Sequence, residues 1–276
     1  MSEHKARIAA ATVPAPPLSL RPSLPPSLPG ISLAPDARET SEGSSLGNIL
    51  GAVSRVELGQ LLAQLSEIGL KSFGFFCTVL GFVGAILVYQ AGVQALRIVP
   101  DTSTVGASYL ELLVRDLGAS MVGLMLATRV GSGIAAELGS MKVTSQLDAL
   151  RLCHADPLDY LVAPRVLACA LVTPWLTLFA SAVAVLSGTV TGYLAFGINP
   201  HVFLDFRFVD VGDIATGLAK SIVFGLSVPV IAARAGISAQ GGSEAVGDAT
   251  TRAVVGGSLS VIVLGFAIGV VGQLVF

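Results

Sequence analysis

Charge is what this sequence has least of. Asp, Glu, Lys and Arg supply 12% of its 276 residues, against about 25% in a soluble domain. Cysteine is scarce as well. Cys77, Cys153 and Cys169 all lie in or beside apolar sequence, too few for a secreted disulfide framework. No basic cluster exists and the net charge is −2, which argues against a nucleic-acid binder. Histidine occurs at His4, His154 and His201, and none is paired with a serine inside an apolar run. A serine hydrolase needs such a base. The HExxH pattern of a zinc protease and the GxxxxGK[ST] loop that cradles nucleotide phosphates are both missing. No paired aspartates stand in an apolar run. The sequence therefore names no catalytic residue, no metal site and no cofactor.

Apolar sequence is what remains. Hydrophobic residues make up 53% and the mean hydropathy is +0.79, which indicates an all-α integral membrane protein. The first 46 residues differ. They hold 8 of the 14 prolines: Pro14, Pro16, Pro17, Pro22, Pro25, Pro26, Pro29 and Pro35. Proline removes backbone donors and fixes φ, so 1–46 is expected to be a disordered tail or linker, with a packed domain over 47–276. No run of 7–15 apolar residues follows Lys5 and Arg7, so the tail does not read as a signal peptide. Residues 48–68 read as an amphipathic helix. Leu50, Leu58, Leu61, Leu65 and Ile68 lie on one side, and Glu57, Gln60, Gln64 and Glu67 on another. Such a helix lies in the membrane interface or packs on the rest of the chain.

A helical span needs about 20 apolar residues. Five segments qualify: 72–96, 105–136, 161–196, 211–234 and 252–275. Pro164, Pro174 and Pro229 are expected kink sites. Gly188 with Gly192, and Gly265 with Gly269, have the spacing that lets helices approach closely. With the N-terminus cytoplasmic, the inner segments carry Arg55, Lys71, Lys142, Arg151, Arg165, Arg234 and Arg252. The outer ones carry Arg97, Arg115 and Arg207. That asymmetry puts the N-terminus inside and the C-terminus outside. Two basic residues lie within apolar runs. Arg129 is near an inner end and snorkels; an ion pair with Glu137 is its rival, eight positions away and too far for direct pairing. Lys220 is deeper, and lines a polar path or bonds to carbonyls of a neighbouring helix.

Between the second and third segments runs AAELGSMKVTSQLDALRLCHADPLDYLVAPR. Glu137, Thr144, Asp148 and Arg151 form a polar stripe. Leu138, Met141, Ala149 and Leu152 form an apolar one, and Pro157 ends the helix. A short cytoplasmic helix of this kind transmits force from a soluble partner or merely covers lipid heads; the pattern alone leaves both open.

The run Arg129-Val130-Gly131-Ser132-Gly133, then Ala136-Glu137-Leu138-Gly139, Met141, Thr144, Gln146-Leu147, Asp156-Pro157 and Pro164-Arg165, resembles the MlaE-type permease family. Thr250-Thr251-Arg252-Ala253-Val254-Val255 before the last segment matches it too. The resemblance covers roughly 48–276 and excludes the Pro-rich tail. It implies an interfacial helix plus five spans working as a homodimer in the bacterial inner membrane. It implies a permease subunit of an ABC transporter that moves phospholipids between inner and outer membranes. The partners implied are a separate ATPase subunit and an MCE-domain lipid-binding protein. A coupling helix at about 137–155 would dock on the ATPase through Glu137, Leu138, Met141, Lys142, Thr144, Asp148 and Arg151. The family's Arg-Glu-Leu-Gly run is here Arg115-Asp116-Leu117-Gly118, followed by Ala119 in place of proline. The implied lipid cavity is lined by Val88, Leu96 and Val99 of the first span and by Leu113, Arg115, Asp116 and Leu117 of the second. Arg115 suits a lipid phosphate. Asp116 either holds that guanidinium in place or repels the phosphate. The rival functions are a secondary transporter, which usually shows internal repeats that are not evident here, and a structural membrane scaffold.

Overall fold

The computed structural model describes residues 58–98, 103–152, 158–204 and 209–275. The Pro-rich tail, residues 48–57 of the amphipathic helix, Val99, His154, Asp156, Pro157 and the side chain of Arg151 lie outside the described residues. Every regular element among the described residues is helical.

Helix α1 (Leu58–Leu65) passes through a π turn, Ser66–Leu70, directly into α2 (Lys71–Ile98). The amphipathic stretch and the first apolar segment thus run together. Leu61 and Leu65 pack on the core, and Ile68 is buried in it. The 28 residues of α2 reach about 42 Å at 1.5 Å per residue, longer than the apolar thickness of a bilayer. The second apolar segment is helical from Ser103 to Val143, but not uniformly α. Two π turns, Leu113–Leu117 and Ala127–Gly131, divide it into α3 (Ser103–Leu112), α4 (Gly118–Leu126) and α5 (Ser132–Val143). A two-residue break at Thr144 and Ser145 leads to α6 (Gln146–Leu152). The chain then forms α7 (Ala163–Phe196), α8 (Pro200–Phe203), α9 (Val211–Ile237) and α10 (Ser243–Val275).

Among the described residues four helical stretches are long and apolar enough to cross a membrane: Ser66–Arg97, Tyr160–Phe196, Val211–Ile237 and Ser243–Leu274. The chain is an all-α, multi-pass membrane protein. Its outer faces agree with that: Phe82, Leu186, Leu194 and Leu274 are exposed, which water disfavours and lipid does not. The prolines do not end the helices. Pro164 occupies the first turn of α7, where no intrahelical donor is needed. Pro174 and Pro229 lie inside α7 and α9, which continue through them.

Small residues set the packing. A side chain at Gly188 would meet Val88 and Tyr109, and one at Gly192 would meet Phe203. Gly225 brings α9 onto α7, where an added Cβ would lie 2.7 Å from the Cys169 carbonyl. The core between these helices holds Phe76, Leu80, Val88, Leu113, Val122, Leu126, Phe224 and Val228. A second cluster around Ile134, Leu138, Val166 and Ala233 ties α5 to α7 and α9.

Candidate functional site

A groove of about 730 Å³ runs between the second helical segment and α10. Leu112, Leu124, Ile262 and Phe266 give it apolar walls; Glu111, Arg115, Asp116 and Gln273 make one stretch polar. The polar stretch is built by the first π turn, Leu113–Leu117, which widens the helix and carries both Arg115 and Asp116. The second π turn carries Arg129. Arg115, Asp116 and Arg129 therefore sit where regular i→i−4 bonding gives way, a common feature of functional helix sites.

Asp116 is ion-paired with Lys220 of α9, whose amine also donates to the Arg115 carbonyl at 3.4 Å. Lys220 has no exposed surface. Its Nζ fits against Gly269 of α10, where an added Cβ would lie 3.3 Å away. Arg115 reaches past this pair to Asp213, Nη1 to Oδ1 3.6 Å. Asp213 is itself built into the start of α9. It accepts from the Asp210 backbone N–H at 3.0 Å and closes a reciprocal capping box with Asp210. Thus two acid–base pairs cross from the second segment to α9 on the rim of the groove.

At the other π turn, Arg129 donates through Nε to Ser72 Oγ at 3.1 Å and through Nη2 to the Lys71 carbonyl at 2.9 Å. Its guanidinium lies over Phe75, 5.4 Å from the ring centre. Glu137 instead pairs with Arg165 at 2.5 Å. Arg129 is therefore anchored on α2, and the Glu137 pairing weighed for it goes to another helix.

Residues 61–271 match the family described as Permease MlaE. The chain belongs to the MlaE permease family. It is 36% identical over 214 residues to a probable ABC transporter permease protein of Synechocystis, covering 77% of this chain and 81% of that one. A probable ABC transporter permease protein of Rickettsia typhi is 35% identical over 213 residues, with 76% and 82% covered. The chloroplastic protein Trigalactosyldiacylglycerol 1 of Arabidopsis thaliana is 35% identical over 209 residues, covering 75% of this chain and 59% of the plant protein. This MlaE-family chain is a permease of a family associated with lipid transport.

Of the residues expected to line a lipid cavity, Arg115 and Asp116 line the groove. Val88 and Leu113 do not; they are buried in the core at 0% and 2% exposure. Leu117 packs partly on that core, and Leu96 is exposed on α2, away from the groove lining. In this groove the wall opposite the second segment is α10. Asp116 holds Lys220 rather than the guanidinium of Arg115, which turns to Asp213. Lys220, Glu111, Phe266 and Gln273 were not singled out for this site from sequence; Lys220 in an apolar run was the available signal.

The expected coupling residues fall into two groups. The single helix at 137–155 is in fact two. Thr144 donates its hydroxyl to the Ser140 carbonyl at 2.8 Å, and Ser145 takes a left-handed φ of 58°. Local hydroxyl bonding of this kind competes with helix continuation. Before the break, Leu138 is fully buried, Met141 packs on the second core cluster and Glu137 serves the Arg165 pair. At and beyond it, Thr144 and Asp148 are exposed, and Lys142 bridges to Asp148 at 3.2 Å. Leu147 anchors α6 at 2% exposure, while Leu152 stands out at 83%.

Proposed function

We propose that the chain is the permease subunit of an ABC transporter that moves phospholipids between the inner and outer membranes of a bacterium. A separate ATPase subunit drives it through the turn at Lys142–Leu152. A second copy of the chain completes the lipid path, and an MCE-domain protein receives or delivers lipid outside. Helix from Ser103 to Val143 makes the fifth crossing; its length of about 60 Å requires tilt or protrusion. The N-terminus is cytoplasmic and the C-terminus periplasmic, which follows the basic-residue asymmetry.

The observation that carries this reading is the groove itself. Its apolar walls suit acyl chains, and its polar stretch presents Arg115, whose guanidinium can take a phosphate through two hydrogen bonds. The test is a photo-crosslinker at Phe266 or Leu112, with Leu186 as the control on the outer face of α7. Groove positions should crosslink phospholipid, and the yield should fall when the assembled ATPase turns over. Equal, ATP-insensitive yields at Phe266 and Leu186 would sink the proposal.

A secondary transporter has one observation in its favour, the Asp116–Lys220 pair within the helical bundle, since ion-coupled carriers use intramembrane titratable groups. Lipid movement by the reconstituted chain under an ion gradient, without the ATPase, would select that reading.

A further inference from the structure

A second cleft, about 320 Å³, lies away from the lipid groove, where the α1–α2 elbow meets the second π turn, α5 and α7. Its lining is charged: Glu67, Lys71, Arg129, Glu137 and Arg165 all contribute. Among the described lining residues two carboxylates face three cations, an excess of one positive charge. The carboxylates are committed, Glu67 to Lys71 at 2.8 Å and Glu137 to Arg165 Nη2 at 2.5 Å. Among the described residues no carboxylate lies within ion-pair distance of Arg129; its bonds go to the Ser72 hydroxyl and the Lys71 carbonyl.

The decisive atom is Arg165 Nη1. Arg165 is 7% exposed, and this nitrogen is buried with no hydrogen-bond partner among the described residues. Buried donors are almost always satisfied, because leaving one unpaired costs its whole desolvation. A guanidinium with one nitrogen engaged and the other vacant, in a cleft with one net positive charge, suits a monoanionic oxygen acid.

We infer that this cleft binds a phosphodiester, with Arg165 Nη1 donating to a phosphate oxygen and Arg129 supplying the second cation. A phosphodiester carries a single negative charge and so matches the excess. The source is a membrane lipid headgroup or a free glycerophosphodiester. The binding itself does not depend on the transport proposal. That proposal only assigns the cleft to the cytoplasmic leaflet, opposite the end where Arg115 and Asp213 meet.

The full-length chain in dodecyl maltoside can be titrated with dihexanoyl-phosphatidylglycerol, with glycerophosphoglycerol and with dihexanoylglycerol, read by native mass spectrometry. The phosphatidylglycerol should bind and the phosphate-free dihexanoylglycerol should not. Equal affinity for glycerophosphoglycerol identifies a free phosphodiester as the ligand, and a tenfold or greater preference for the lipid identifies the headgroup. Arg165→Gln should lower affinity at least tenfold. Because that change also breaks the Glu137 pair, a second variant guards against misfolding. Gly133 lines the cleft, and an added Cβ there meets nothing within 4 Å. Gly133→Phe should therefore fill the cleft, remove one bound phosphatidylglycerol from the mass spectrum and leave the thermal midpoint and the phospholipid crosslink at Phe266 unchanged. An unchanged number of bound phosphatidylglycerols in Gly133→Phe, or no phosphate-dependent binding by the unmodified chain, overturns the inference. Loss of the Phe266 crosslink in the unmodified chain would count against the transport proposal alone.

Discussion

Asp116 and Lys220 form an ion pair in which only one partner is hidden from solvent: the lysine side chain is 0% exposed and the aspartate 45%. The two ends of the pair therefore respond differently to removal. Asp116→Asn leaves a buried ammonium without its counter-charge, and leaving a buried donor unsatisfied costs about 1–3 kcal/mol. Lys220→Met leaves Asp116 at the groove surface, where it can be hydrated, and puts an apolar chain of similar size against Gly269. The expected order of thermal midpoints in detergent is unmodified, then Lys220→Met close behind, then Asp116→Asn well below. The double variant should recover most of the Asp116→Asn loss. If Lys220→Met proves the more damaging change, desolvation is not what governs this pair.

Two glycines of the bundle should answer the same substitution with opposite signs. An added Cβ at Gly217 would collide with the Val114 carbonyl, where α9 crosses the first π turn. Overpacking of this kind costs about 1–3 kcal/mol, so Gly217→Ala should lower stability. Gly133 has open space inside α5, where alanine is favoured over glycine by roughly 0.5–1 kcal/mol. Gly133→Ala should raise the thermal midpoint slightly. Matched melting curves of the two variants check both signs.

The helices and the site differ in how far the sequence revealed them. The apolar runs at 72–96, 161–196, 211–234 and 252–275 became α2, α7, α9 and α10 because bilayer-length hydrophobicity is a local property. The second segment was legible as helix but not as three pieces. An i→i+5 turn leaves no mark on apolar periodicity, and only the charges at Arg115, Asp116 and Arg129 hinted at something irregular. The groove was half legible. Arg115 and Asp116 stood out in a motif, but a helix apolar on all sides does not announce its neighbour, so α10 was missed as the wall. The Asp116–Lys220 and Glu137–Arg165 pairs join residues 104 and 28 positions apart, and nothing local couples them. The break at Thr144 and Ser145 was read through, since the polar stripe continues across it.

Membrane orientation rests on charge asymmetry and can be tested at exposed sites. Asp148 and Asp210 are both exposed. In a background without the native cysteines, a cysteine at Asp210 should react with an impermeant maleimide added to intact cells. One at Asp148 should react only after permeabilisation. The reverse pattern would invert the topology, and labelling of both from outside would remove a crossing between them.

The coupling proposal makes its sharpest demand on Leu152. Helix α6 is anchored by Leu147, which is 2% exposed, and held to α5 by the Lys142–Asp148 bridge at 3.2 Å. Leu152 on the same short helix is 83% exposed, an apolar group aimed away from its own fold. If the ATPase docks here, Leu152 is the anchor that enters its surface. Losing such an anchor costs about 1–2 kcal/mol, which is roughly a 5- to 30-fold loss of affinity. Leu152→Asp should therefore weaken permease-stimulated ATP hydrolysis by that order at limiting ATPase, and excess ATPase should partly restore it. Asp148→Lys should act in the same direction, because it breaks the bridge and reverses an exposed charge. Met141→Ala should behave differently: Met141 packs on the second core cluster, so its truncation should lower the thermal midpoint before it affects coupling. Stimulated hydrolysis by the Leu152→Asp variant equal to that of the unmodified chain across the ATPase titration would show that α6 is not the docking element.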